Sequence, residues 1–142
     1  MEAINSFKLD HNVLDVGFYL EDVSNNVYTY DLRFKKPNGG DYLSNPAMHT
    51  IEHIFAVVIR NGRLKDKVVY FGPMGCRTGF YLLFYGVDRE EARAETIFAL
   101  KECLKLDYVP GSKKIECGNY KSHSLKVAKA EIERYLKAID RG

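Results

Sequence analysis

His49 and His53 stand four residues apart with Glu52 between them, inside the stretch from Ser44 to Gly62. On a helix, that spacing projects both imidazoles from one face, where they can meet a single cation. Glu52 follows His49 by three residues and adjoins His53, close enough to handle protons beside such an ion. The order H-x-x-E-H reverses the H-E-x-x-H zinc helix and obeys the same spacing logic. Two imidazoles need a third ligand, and Cys117 is the candidate. Thiolates bind Zn and Fe(II) strongly, and Gly118 leaves the cysteine side chain accessible. A His, His, Cys set leaves a fourth coordination position open to water or substrate, the mark of a catalytic rather than a structural site. A metal so held acts as a Lewis acid, polarising a carbonyl and stabilising an enediolate. Cys76 lies in Gly72-Pro73-Met74-Gly75-Cys76-Arg77-Thr78-Gly79, a turn whose glycines permit close approach by a ligand. Glu52 and Cys76 are the expected proton-transfer groups, each able to contribute about 10²–10⁴-fold.

The elements that must position these groups follow from pattern. Ser44 or Asn45 caps the metal helix, Pro46 suits its first turn, and Asn61-Gly62 offers a left-handed stop. Val13 to Glu21 and Val27 to Phe34 read as a hairpin across Ser24-Asn25-Asn26. In its second strand Tyr28, Tyr30, Leu32 and Phe34 share one side, with Val27, Thr29, Asp31 and Arg33 opposite. Arg33 is there either an edge charge, the commoner case, or a binder of anions or hydroxyls. Lys67 to Phe71 and Phe80 to Tyr85 are further strands flanking the Cys76 turn. Asp88-Arg89-Glu90-Glu91 opens a helix running to about Leu106, with Ile97, Leu100 and Leu104 inward and Cys103 structural. Pro110-Gly111 is a turn, and Ile115 to Tyr120 is a polar loop carrying Cys117. Ser124 caps a last helix whose Leu125, Ala128, Ile132, Tyr135 and Ile139 form an apolar stripe. The expected class is α+β: an antiparallel sheet packed against helices in a single domain, 1–142, with a metal-binding helix.

Composition narrows the function classes. The chain has 142 residues, enough for one domain with a real core. Lys plus Arg number 21 and Asp plus Glu 19, so charge offers no reason to expect nucleic acid. Three cysteines, an odd number, argue against a disulfide framework and for a reducing compartment. The first six residues show no basic stretch followed by an apolar run, and no apolar segment approaches the roughly 20 residues that span a bilayer. A cytoplasmic protein without membrane contact is the expectation.

Separated motifs in one order then carry a resemblance. They are Ser6-Phe7-Lys8-Leu9-Asp10-His11, Asp31-Leu32-Arg33-Phe34 with Pro37-Asn38, His49-Thr50-Ile51-Glu52-His53, Pro73-Met74-Gly75-Cys76-Arg77-Thr78-Gly79-Phe80-Tyr81, and Cys117-Gly118-Asn119-Tyr120 with His123-Ser124-Leu125. From Ser6 to about Ala128 the chain resembles the S-ribosylhomocysteine lyase (LuxS) family. That resemblance implies an α+β homodimer with metal sites at the subunit interface. It implies cleavage of S-ribosylhomocysteine to homocysteine and dihydroxypentanedione, the autoinducer-2 precursor. Carried across by position, His49, His53 and Cys117 bind Fe(II), replaceable by Zn or Co. Cys76 and Glu52 are the acid/base pair, and Ser6, His11 and Arg33 contact substrate. The chain departs from the family in two places. Tyr70-Phe71-Gly72 replaces a common Asp-Ile-Ser, and Leu14 to Leu20 lacks the Pro and Arg of a common Ala-Pro-Tyr-Val-Arg.

Two rivals stand beside this reading. One is an H-x-x-E-H metallopeptidase, with Glu131 or Glu133 as third ligand. The other is a non-catalytic metal-binding dimer derived from the same fold.

Overall fold

The structure is a computed structural model and describes residues 10–140. Four strands, β1 (Gly17–Ser24), β2 (Val27–Arg33), β3 (Val68–Pro73) and β4 (Gly79–Tyr85), form one sheet in the order β1-β2-β4-β3, antiparallel at every junction. Among the described residues three α-helices accompany it: α1 (Asn45–Ile59), α2 (Arg89–Cys103) and α3 (Leu125–Ile139). The architecture is the α+β arrangement expected.

The β1–β2 hairpin turns on Asn25 and Asn26, with φ of 52° and 63°. Two left-handed residues make the turn type whose twist matches paired strands, and Asn adopts that conformation readily. β1 starts at Gly17 rather than Val13. The Asp10 carbonyl accepts from Val13 and Leu14 and its side chain accepts from Asn12, so this stretch coils into a turn before the strand begins.

β2 is central, and its alternation sorts the sheet's two faces. Tyr30 and Leu32 lie opposite Leu82 and Phe80 of β4 and are fully buried. They join Ile51, Ile54 and Phe55 of α1, Leu100 of α2, and Ile132 and Tyr135 of α3 in one hydrophobic cluster. Phe34 follows in that cluster, its ring 4.0 Å from Tyr135 and nearly parallel. The expected stripe of α3 is therefore core, with Leu125 partly buried at its start. On the other face Asp31 pairs with Tyr81, Thr29 with Leu83 and Val27 with Tyr85.

Helix ends follow local chemistry. Ser44 and Asp88 cap α1 and α2 by accepting from Ala47 N and Glu91 N, and Ser124 caps α3 by accepting from Val127 N. The left-handed stop expected at Asn61-Gly62 is absent. Arg60 ends α1 in a right-handed conformation, and Asn61 N and Gly62 N donate back to Val58 and Ile59 in tightened turns. Asn61 Nδ2 satisfies the Val57 carbonyl, leaving no call for a left-handed residue. α2 stops at Cys103, short of Leu106, with Leu104 as its cap.

Candidate metal centre and thiol pocket

α1 presents His49 and His53 one turn apart, with ring centroids 4.8 Å from each other. Each ring is oriented by a carbonyl. His49 Nδ1 lies 2.8 Å from the Ser122 oxygen and His53 Nδ1 3.0 Å from the Pro110 oxygen. A carbonyl only accepts, so both Nδ1 atoms donate, and in the neutral rings both Nε2 atoms keep a bare lone pair. The Pro110-Gly111 turn makes the second contact feasible. Gly111 has φ +69°, and a Cβ there would sit 3.3 Å from His53 Nδ1.

Cys117 is brought in by a turn in which its N–H and that of Glu116 donate to the Lys113 carbonyl. Its Sγ lies 3.4 Å from His49 Nε2 and 3.9 Å from His53 Nε2. His123, quoted above within a motif but given no role, completes the group with Nε2 3.8 Å from the same sulfur. All four donor atoms fall within 4.8 Å of one another, and all four residues are half-buried. Burial and the neighbouring His49 and His53 push the His123 pKa down to about 4. Its sequence signal was its place six residues beyond Cys117, across one short loop and immediately before the α3 cap. The donor chemistry, borderline N and S, suits a divalent ion, and the sulfur-to-nitrogen distances of 3.4, 3.9 and 3.8 Å lie near the roughly 3.5 Å edge that a Zn–S of about 2.3 Å and a Zn–N of about 2.0 Å give a tetrahedron.

Glu52 is half-buried on the same turn of α1. Glu131, the peptidase reading's third ligand, is engaged elsewhere. It lies 2.9 Å from Lys35 Nζ and accepts from Arg134, while Glu133 is exposed to solvent. Cys103, expected to be structural, is fully buried, and burial raises its pKa to about 12.

A second constellation surrounds Cys76. The loop between β3 and β4 closes with Met74 N donating to Gly79 O and Arg77 N to Met74 O, with Arg77 left-handed at φ 61°. Thr78 Oγ1 lies 3.0 Å from the Cys76 sulfur and accepts from Arg33 Nη1 at 2.7 Å. Arg33 Nη1 is itself 4.0 Å from the sulfur. The edge-charge expectation for Arg33 is corrected here. Its side chain is 2% exposed because β2 is an inner strand, and Nη2 is held by Asp31 at 2.6 Å. Burial raises the Asp31 pKa against the opposing pull of Arg33. Gly79 stands opposite Arg33 in the register, where a Cβ would run into the Leu32 carbonyl. Tyr70 lies across Gly72 in the same manner, so the departure at Tyr70-Phe71-Gly72 is a matched pair: the ring occupies the space a side chain at 72 would need.

Cys76 is exposed and lines two adjoining cavities of about 360 and 300 Å³ with Gly75 and the half-buried His11. Arg33 and Tyr81 complete the smaller one. Neither contains any of the four metal-type donors. Ser6 lies outside the described residues.

One α+β chain thus carries a His/Cys cluster that could hold a metal ion and, apart from it, a thiol backed by arginine. The chain belongs to the S-ribosylhomocysteinase (LuxS) family, whose pattern it matches over residues 4–141. It is 42% identical over 147 residues to the S-ribosylhomocysteine lyase of Borreliella burgdorferi, covering 99% of this chain and 94% of that one. The protein of the same name from Finegoldia magna is 39% identical, with 99% and 93% covered. That from Porphyromonas gingivalis W83 is 40% identical over 149 residues, with 98% and 92% covered.

Proposed function

We propose that this chain is a metal-dependent carbon–sulfur lyase that cleaves S-ribosylhomocysteine to homocysteine and dihydroxypentanedione, the autoinducer-2 precursor. The carrying observation is the convergence of His49 and His53 Nε2 on the Cys117 sulfur in a chain of this family. In this reading His49, His53 and Cys117 hold Fe(II), with Zn or Co able to replace it. The bound ion supplies Lewis-acid polarisation of the substrate's carbonyl oxygen.

The chain's own residues do the rest. Cys76 takes a proton from carbon and returns it to the neighbouring carbon as the carbonyl moves from C1 to C2 and then C3. Glu52 carries protons between the oxygens. With the carbonyl at C3, loss of the C4 proton expels homocysteine thiolate from C5; the oxidation-state changes fall among the sugar carbons and sum to zero, so no external oxidant or reductant is needed. Arg33 presents a hydrogen-bond donor to the Cys76 sulfur, and the Thr78 hydroxyl shares a hydrogen bond with the same sulfur. His11, Arg33 and Ser6 are the substrate contacts, and His11 and Arg33 share a cavity with Cys76.

A homodimer with its active sites at the interface is part of the same reading. Support comes from the absence of the metal donors from the Cys76 cavities and from the exposed aromatic face of the sheet, where Tyr70 and Tyr85 are 49% and 54% accessible. No helix among the described residues is long and apolar enough to cross a membrane. Three unbridged thiols suit the reducing cytoplasm.

Anaerobically purified Fe(II) protein incubated with S-ribosylhomocysteine should release free thiol well above the no-enzyme background. Bound metal without homocysteine release would sink the enzyme reading.

A further inference from the structure

We propose that Glu21 is a positioning residue for the Cys76 thiol: held as a neutral carboxylic acid, it donates a hydrogen bond to Asp31 Oδ1 and so keeps Arg33 turned toward the sulfur. The inference rests on Cys76 as the proton-transfer group and adds to that reading a residue that reaches the thiol only through Asp31 and Arg33.

The contacts run in a line along the sheet face that looks away from the hydrophobic core. Cys76 Sγ lies 4.0 Å from Arg33 Nη1 and 3.0 Å from Thr78 Oγ1, which accepts from the same Nη1 at 2.7 Å. Arg33 Nη2 donates to Asp31 Oδ2 at 2.6 Å. Asp31 is fully buried, and its other oxygen, Oδ1, has no partner among the described residues. Glu21 Oε2 is likewise buried without a partner there. Leu20 pairs with Tyr30 and Asp22 with Thr29, so Glu21 is the extra residue of a β-bulge, an irregularity that re-aims a side chain. After burial itself, the charge of Asp31 acts on Glu21 most strongly, so the two carboxyls are neighbours.

Two ionised carboxylates repel in a buried site, and two orphaned acceptors cannot satisfy each other without a proton. One proton between them answers both demands. Asp31 has its own cation in Arg33, whose contact opposes the upward push of burial. Glu21 feels Arg33 and His11 through space, against burial, Asp31 and Asp22, and its pKa rises to about 7. The proton of the pair therefore sits on Glu21. Its consequence reaches the thiol through the guanidinium. Arg33 Nε is also buried without a partner among the described residues, so an empty Asp31 Oδ1 would compete for the guanidinium and draw Nη1 off the sulfur. Ionising Glu21 would in addition place a second negative charge behind Arg33, weakening the support that the cation gives a thiolate.

The test reads protonation and thiol reactivity, neither of which needs turnover. In metal-loaded protein labelled with ¹³C at the glutamate carboxyls, the Glu21 resonance is assigned through Glu21→Gln. It should be that of a carboxylic acid at pH 5.5 and become that of a carboxylate on passing pH 7. A carboxylate already present at pH 5.5 would overturn the proposal. Alkylation of Cys76 by iodoacetamide is then followed by mass spectrometry from pH 5.5 to pH 8.5, with the buried Cys103 unmodified as the check on folding. Wild type and Glu21→Gln should react alike at the acid end, and the Gln variant should run several-fold faster above pH 7, where it lacks the extra charge. Rates that coincide throughout would break the link between Glu21 and the sulfur. Glu21→Leu, with neither charge nor donor, should react about fivefold more slowly than Glu21→Gln in the lower half of the range, the worth of one hydrogen bond. Equal rates for those two would remove the hydrogen bond to Asp31. Thiol release from S-ribosylhomocysteine is scored separately, so its absence in a protein that meets these expectations counts against the lyase reading alone.

Discussion

Glu52 and Cys117 lie within reach of one ion in the proposed mechanism and should fail in different ways when replaced. In the Co(II)-loaded protein, Cys117→Ala is expected to remove the thiolate-to-cobalt absorption in the near ultraviolet. Glu52→Gln should keep that band intact while lowering kcat by about 10²–10⁴-fold, the range for loss of a positioned proton carrier. Normal turnover by Glu52→Gln would remove it from the chemistry. Glu21 invites a separate experiment. It sits at an irregularity in β1, between Leu20 and Asp22, with Oε2 buried and unpartnered among the described residues. Burial first, and then the charge of Asp31, raises its pKa to about 7. A carboxyl raised in the folded state stays protonated there while its unfolded counterpart ionises near 4.5, so stability is lost as pH climbs from about 4.5 to about 7. Glu21→Gln should therefore be the more stable protein at pH 8, by roughly 1 kcal/mol once solvent screening is allowed for, and the gap should close by pH 4. Denaturant titrations at both pH values check the sign.

At the scale of elements, the β3–β4 loop and the β2 strand form one device. Arg33 reaches Cys76 because β2 and β4 run close together at Gly79, where there is no side chain to hold them apart. Gly79→Ala should cost about 1–3 kcal/mol by overpacking against the Leu32 carbonyl. Activity should fall further than stability alone explains, because the same shift moves Thr78 away from the sulfur. Comparing kcat under conditions where the variant is fully folded separates the two effects. The metal helix is less dependent on such fits. Its Ser44 cap, first-turn Pro46 and i, i+4 histidines are local features, and all were readable from sequence. Its end was not. The termination depends on the Asn61 side chain reaching Val57 and on Glu95, from α2, accepting from Leu64 N, and the second of these contacts is distant in sequence.

At the scale of the whole molecule, the sheet leaves large side chains uncovered. Tyr70, Tyr85 and Val69 stand about half exposed on β3 and β4, and the Cys76 cavities stand apart from the metal donors. If a second copy covers that face, Tyr85→Arg should move the sedimenting species from dimer toward monomer. An unpaired charge in a buried contact costs roughly 3–5 kcal/mol, enough to weaken association by a hundredfold or more. Turnover should fall in parallel with the dimer fraction. An unchanged sedimentation coefficient would place the interface elsewhere.

Periodicity and capping chemistry by themselves determined the elements, because helix and strand patterns and Ser or Asp caps act over a few residues. The same local information placed His49 and His53 on one face and marked Cys76 as a cysteine in a turn. Tertiary structure decided what lay across long sequence separations. It turned Arg33 from a plausible edge charge into a buried group held by Asp31 and Thr78, because β2 proved to be an inner strand. It added His123 to the donors by folding the loop before α3 onto Thr50 of α1, a contact 73 residues apart in the chain. Ligand convergence is a property of distances between elements, and no spacing within one element encodes it.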